Sequence, residues 1–126
     1  MIASGSFDVE LQPGPPELDG AVSRFDLTKT FRGDLEGVGA GVMLSCGDPQ
    51  SGSAGYVAIE TVRGRLLDRE GGFALQQMGR MQAGSQTLHY EVVPGSGDGE
   101  LQQITGTLRL TVDEDGTHRF ELTYEL

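Results

Sequence analysis

From His118 to the end of the chain the residues alternate without a break. His118, Phe120, Leu122, Tyr124 and Leu126 share one face, and Arg119, Glu121, Thr123 and Glu125 share the other. A period of two places successive side chains on opposite sides of an extended backbone, which is the signature of a half-buried strand. The same period opens the chain, where Ala3, Phe7, Val9 and Leu11 oppose Ser4, Ser6, Asp8 and Glu10. A chain that begins and ends this way is constrained to an all-β architecture.

Breakers separate the strands. Gln12-Pro13-Gly14-Pro15-Pro16 stops the first, because proline has no amide hydrogen for a ladder. The segment on to Gly20 reads as an extended loop that could close one end of a barrel as a lid. In Ala21 to Phe31, the residues Ala21, Phe25, Leu27 and Phe31 share a face with Lys29. Gly33-Asp34 turns the chain into Leu35 to Cys46. There Val38, Ala40, Val42, Leu44 and Cys46 line one face, and Gly37, Gly39 and Gly41 alternate on the other. Three glycines on one face leave a bare stretch of backbone, which suits a strongly coiled barrel strand packed by large neighbours, or the approach of a ligand.

A Gly-, Ser- and Pro-rich loop, Gly47 to Gly55, precedes Tyr56 to Leu67. Here Tyr56, Ala58, Glu60, Val62 and Leu66 face one way and Val57, Ile59 and Thr61 the other. Both faces begin apolar, so this strand is covered on both sides: barrel interior on one, and a subunit contact or loop on the other. Phe73 to Met81 alternates next, then Leu88, Tyr90 and Val92. After the PGSGDG turn, Leu101 to Ile104 leads into a strand carrying Leu108, Leu110 and Val112. Asp113 to Gly116, DEDG, makes the last hairpin. The total is about eight strands and no helix, with turn signals roughly every 10–15 residues, as in an up-and-down barrel or a sandwich. A single closed antiparallel barrel is favoured, because about eight strands can close and remove both edges.

Composition narrows the function. The 126 residues make one domain, and the formal net charge of −10 repels phosphate backbones and anionic lipid surfaces. Nucleic-acid and membrane partners are therefore disfavoured. No membrane-spanning run and no signal-peptide pattern are visible, so a cytoplasmic location is expected. Cys46 is the only cysteine and has no basic neighbour to activate it, so it reads as a small buried hydrophobe. His89 and His118 show no metal-ligand spacing, and no metal site is expected. PGSGDG carries acids and precedes a strand, so it is a glycine turn and not a phosphate loop. No strand-to-helix nucleophile elbow is present.

Two charges stand out. Lys29 is the only lysine beside eight arginines, and it falls on an apolar face. Glu60 is the sole charge between Ala58 and Val62. If both faces point inward, the two form a buried ion pair or an acid/base couple. If not, Glu60 faces out and Lys29 snorkels to solvent. Tyr56 shares the face of Glu60, so a carboxylate and a phenol could together polarise an oxygen and move a proton.

Four blocks carry a family likeness: LTKTFRGDLEGVGAGVML (Leu27 to Leu44), GSAGYVAIETVRGRL (Gly52 to Leu66), FALQQMGRM (Phe73 to Met81) and VVPGSGDGELQQITG (Val92 to Gly106). With the C-terminal FELTYEL they resemble the bacterial domain-of-unknown-function 3224 family (DUF3224) nearly end to end. That family is similar to the allene oxide cyclase-type barrels. The resemblance implies an eight-stranded antiparallel barrel with a cavity, often oligomeric, and no settled activity. This chain has Val42 where the family commonly has a glutamate.

The expected function is binding of a small apolar or aromatic ligand in the barrel, with no cofactor. Its expected lining is Phe25, Leu27, Leu44, Cys46 and Phe73, continued by Leu75, Gln77, Tyr90 and Tyr124, beside Tyr56. The alternative is an isomerase or cyclase acting on a reactive lipid- or polyketide-like ligand, with Glu60 as acid/base and Tyr56 or Lys29 as electrophilic partner. A third possibility is a homo-oligomeric structural protein whose barrel is filled by side chains.

Overall fold

The computed structural model describes residues 1–126 and is a closed antiparallel barrel. Its strands are β1 (Ile2–Pro13), β2 (Ser23–Gly33), β3 (Leu35–Asp48), β4 (Ser53–Leu66), β5 (Arg69–Gln82), β6 (Ser85–Val92), β7 (Thr105–Val112) and β8 (His118–Glu125). Each strand pairs with the next, and β1 closes the ring against β8 from Ile2↔Thr123 to Phe7↔His118. The Met1 amino group also donates to the Tyr124 carbonyl, so the termini lie side by side. One seam is thin: β6 and β7 pair only at Glu91↔Thr107. No helix is long and apolar enough to cross a membrane.

The two ends of the barrel differ. One is closed by a core of 16 buried residues that includes Phe7, Phe31, Leu35, Leu66, Phe120 and Leu122. Phe7 and Phe31 lie 5.5 Å apart, and Phe31 meets Phe120 edge-on at 5.8 Å. The β6–β7 connection seals this end. Its short 3₁₀ turn, Gly99–Leu101, inserts Leu101, and Ile104 follows it into the core. Asp98 ties the connection down by accepting from the Gly72 amide at 2.8 Å and pairing with Arg63. Leu101 therefore belongs to a plug and not to the start of β7, because its amide is used by Asp98 in the turn.

The opposite end is open. Phe25, Met43, Tyr56 and Met81 point inward there but are only partly buried, and Leu11, Leu88 and Val112 stay exposed at the rim. The Pro-rich connection between β1 and β2 does not cover this mouth. It folds on itself through a Glu17↔Val22 bridge around a 3₁₀ turn, Leu18–Gly20, and remains exposed.

β3 reverses the expected sense of its two faces. Gly37, Gly39 and Gly41 point inward, and the valine row points out. The interior is already occupied at this level. A Cβ on Gly41 would lie 2.7 Å from the Glu60 Cβ, and one on Gly39 would lie 3.3 Å from the Phe31 ring. Glycine here makes room for larger side chains from the neighbouring strands. Leu44 and Cys46 are therefore on the outer wall and do not line the interior, and Cys46 is exposed, not a buried hydrophobe.

Candidate functional site

At the boundary between the closed core and the open mouth lie the only two charged side chains in the barrel interior. Lys29 on β2 is 6 % exposed and Glu60 on β4 is 1 % exposed. The glycine row of β3 separates them: Lys29 pairs with Gly39, and Glu60 with Gly41. With no β3 side chain between, Lys29 Nζ donates to Glu60 Oε1 at 3.0 Å. A third residue completes the group. Lys29 Nζ donates to Tyr90 Oη at 2.7 Å, and the Tyr90 hydroxyl donates in turn to Glu60 Oε1. The ammonium also sits 4.5 Å from the centre of the Phe7 ring, a cation–π contact in a water-poor setting.

The arrangement is lopsided. Both donors converge on Oε1, while the buried Oε2 accepts from no protein group. A buried acceptor without a donor costs free energy, more so on a charged group.

Burial pushes the Lys29 ammonium below its ordinary pKa, and the neighbouring carboxylate only partly pulls it back. Burial, and then the charge of Glu60, pushes the Tyr90 phenol far above its ordinary value, so it remains a hydrogen-bond donor. The Tyr56 phenol is raised for the same two reasons in the same order. It stands nearer the mouth, where its ring covers Gly79 and its hydroxyl donates to Gln77 Oε1 at 2.8 Å.

Of the two arrangements the sequence left open, the Lys29–Glu60 couple is the one assembled, inward and in contact. Tyr56 shares the interior with Glu60, but its hydroxyl is engaged by Gln77 instead. Tyr90 was expected only as ligand lining and is in fact the polar bridge. Its place between Leu88 and Val92 on an apolar face was the available signal, since a buried phenol requires a partner. Phe25 and Gln77 face the mouth. Leu27 is buried next to Lys29 along β2, and Phe73, Leu75 and Tyr124 are locked in the core. His118 stacks on Phe7 at 5.2 Å, and His89 lies on the outer wall. No three His, Cys, Asp or Glu side chains come together as metal ligands.

Among solved structures, the barrel is similar to a protein of unknown function from the DUF3224 family of Shewanella oneidensis MR-1. The two are 43 % identical with a TM-score of 0.92, over 100 % of this chain and 96 % of that one. No curated protein matches the chain. A family model described as "Protein of unknown function (DUF3224)" matches residues 3–124. The chain belongs to the DUF3224 family.

Proposed function

We propose that the barrel binds a small, uncharged, apolar or aromatic molecule at its open end, with Glu60 as the polar anchor. The observation that carries this reading is the buried Glu60 Oε2 without a protein donor. A ligand hydroxyl or N–H would satisfy it. The Lys29–Glu60 pair is already neutral overall, so a ligand charge would go uncompensated. Phe25, Met43, Tyr56 and Met81 supply apolar surface above the anchor. Buried ion pairs of this kind are often no more stabilising than hydrocarbon of the same volume. A barrel built only to be filled would not need one.

The test uses N-phenyl-1-naphthylamine, a neutral aromatic fluorophore with one N–H. Its emission rises and shifts to the blue with the wild-type protein. It fails to do so with Ser45→Trp, which fills the mouth opposite Tyr56 in the β3–β4 register. No response from the wild type, or an equal response from both proteins, overturns the reading.

A second reading is favoured by the same group. A carboxylate with one oxygen held by an ammonium and a phenol, and the other oxygen unengaged, is a plausible proton acceptor for an isomerase. The likeness to allene oxide cyclase-type barrels points the same way. There, Glu60→Gln abolishes turnover of a bound reactive lipid while leaving its binding intact.

A further inference from the structure

The outer wall of the barrel is made of two unlike halves. On β1, β2, β7 and β8 the outward residues, apart from Ile2 and Gln12 on β1, are Ser, Thr and charged side chains, among them Asp8, Glu10, Asp26, Arg109 and Glu121. On β3, β4 and β5 the middles of the outward rows are Val38-Ala40-Val42-Leu44, Val57-Ile59-Thr61 and Ala74-Gln76-Met78, and charge appears only toward the strand ends. Val38 is 62 % exposed, Ile59 58 %, Met78 53 % and Val57 50 %. A depression of about 710 Å³ runs across these strands to His89 and Glu91 on β6.

We propose that this face seats a second copy of the chain. The first argument is charge. Each copy carries a formal −10, so two copies repel wherever acidic walls meet, and this face is where that cost is least. Its rim carries both signs, Arg63 and Arg80 with Glu36 and Glu91, so it can be complementary to itself, as a twofold contact requires.

The second argument is size. Four strands about 4.8 Å apart, crossed by about six residue steps of 3.3 Å, span roughly 15 by 20 Å. That is about 300 Å² of apolar centre before side-chain relief. A stable contact buries about 800 Å² per partner, with a dry centre inside a polar rim. The face and its rim match that plan. β-Branched residues in a row are normal for a strand, but on a solvated wall they alternate with charge, as Thr107-Arg109-Thr111 on β7 and Glu121-Thr123-Glu125 on β8 do.

Sedimentation velocity at micromolar concentration tests the proposal. The wild type sediments as an assembly of at least two chains. Ile59→Lys and Met78→Lys each weaken it about 30-fold or more, and Thr30→Lys on the opposite wall leaves it intact. A single-chain mass for the wild type overturns the proposal and leaves the groove to another partner. So does an assembly that survives both substitutions or is lost equally in Thr30→Lys. Should a lysine variant fail to fold, Val57→Trp gives the same answer. The chain has no tryptophan of its own, so emission that shifts to the blue as concentration rises reports a covered face. Emission independent of concentration counts against it.

Discussion

The two ends of the barrel interior use the same strands to opposite effect. At the closed end, Phe7, Phe31, Phe120, Leu35 and Leu66 interdigitate, and Leu101 and Ile104 plug the bottom. One level higher the same inward rows carry Lys29, Glu60 and Tyr90, and above them Phe25, Met43, Tyr56 and Met81 are only partly buried. Packing at the closed end is non-directional and tolerates exchange of one hydrocarbon for another of equal volume. The polar layer is directional, and each member is defined by its partners. The difference separates a stability device from a site.

Five variants and one titration break or sharpen this contrast. Lys29→Met has the largest expected effect. It leaves Glu60 buried without its counter-ion and costs about 3–5 kcal/mol in urea unfolding. The double change Lys29→Met/Glu60→Leu recovers most of that loss, because no charge remains to be desolvated. Equal losses in the single and double variants would mean that the pair is not coupled. Leu122→Ala in the closed end costs about 2–5 kcal/mol by opening a cavity. Its loss adds to that of Lys29→Met only to the extent that the two layers are independent. Tyr90→Phe removes the hydroxyl bridging ammonium and carboxylate and costs about 1.5–3 kcal/mol. Tyr56→Phe loses one neutral hydrogen bond to Gln77 and costs about 0.5–1.5 kcal/mol.

The smallest effect is spectroscopic. The folded protein holds the Tyr90 and Tyr56 protons more tightly than the unfolded chain, whose phenols ionise near 10.0. The stability associated with these phenols is fully present below that pH. It declines as pH rises toward the folded values, because the unfolded chain alone gains by ionising. Lys29 acts in the opposite sense just below 10.5, where only the unfolded chain still binds its proton and stability rises with pH. Phenolate absorbance of the native protein should lag that of the denatured chain, and the lag should shrink in Tyr90→Phe. Coincident titration curves would place both phenols in solvent.

Much of this molecule was legible in its residues. Strict alternation from Ala3 to Leu11 and from His118 to Leu126 determined the first and last strands to within two residues. Lys29 and Glu60 were conspicuous because each interrupts an apolar row. The orientation of β3 was not legible, because alternation distinguishes two faces without saying which is inside. The rule that the apolar row points inward failed there. Glycine contributes nothing to hydrophobicity, yet it was the residue the crowded interior required opposite Glu60. Leu44 and Cys46 were misplaced for that reason. The role of Tyr90 depended on contacts some 30 and 61 residues away in sequence, beyond the reach of any local pattern.

The single β6–β7 rung has a mechanical consequence. The closed sheet behaves as a strip that starts at β7, runs through β8 and β1, and finishes at β6, with its two loose margins held together at one point. The chain ends, joined by Met1 and Tyr124, lie within the strip and not at its margins. Fluctuations that part the wall should therefore begin beside Glu91 and Thr107 and leave the termini among the last amides to exchange. Tyr90 lies on the margin that moves first, so the wall of the site and the weakest line of the sheet are the same strand.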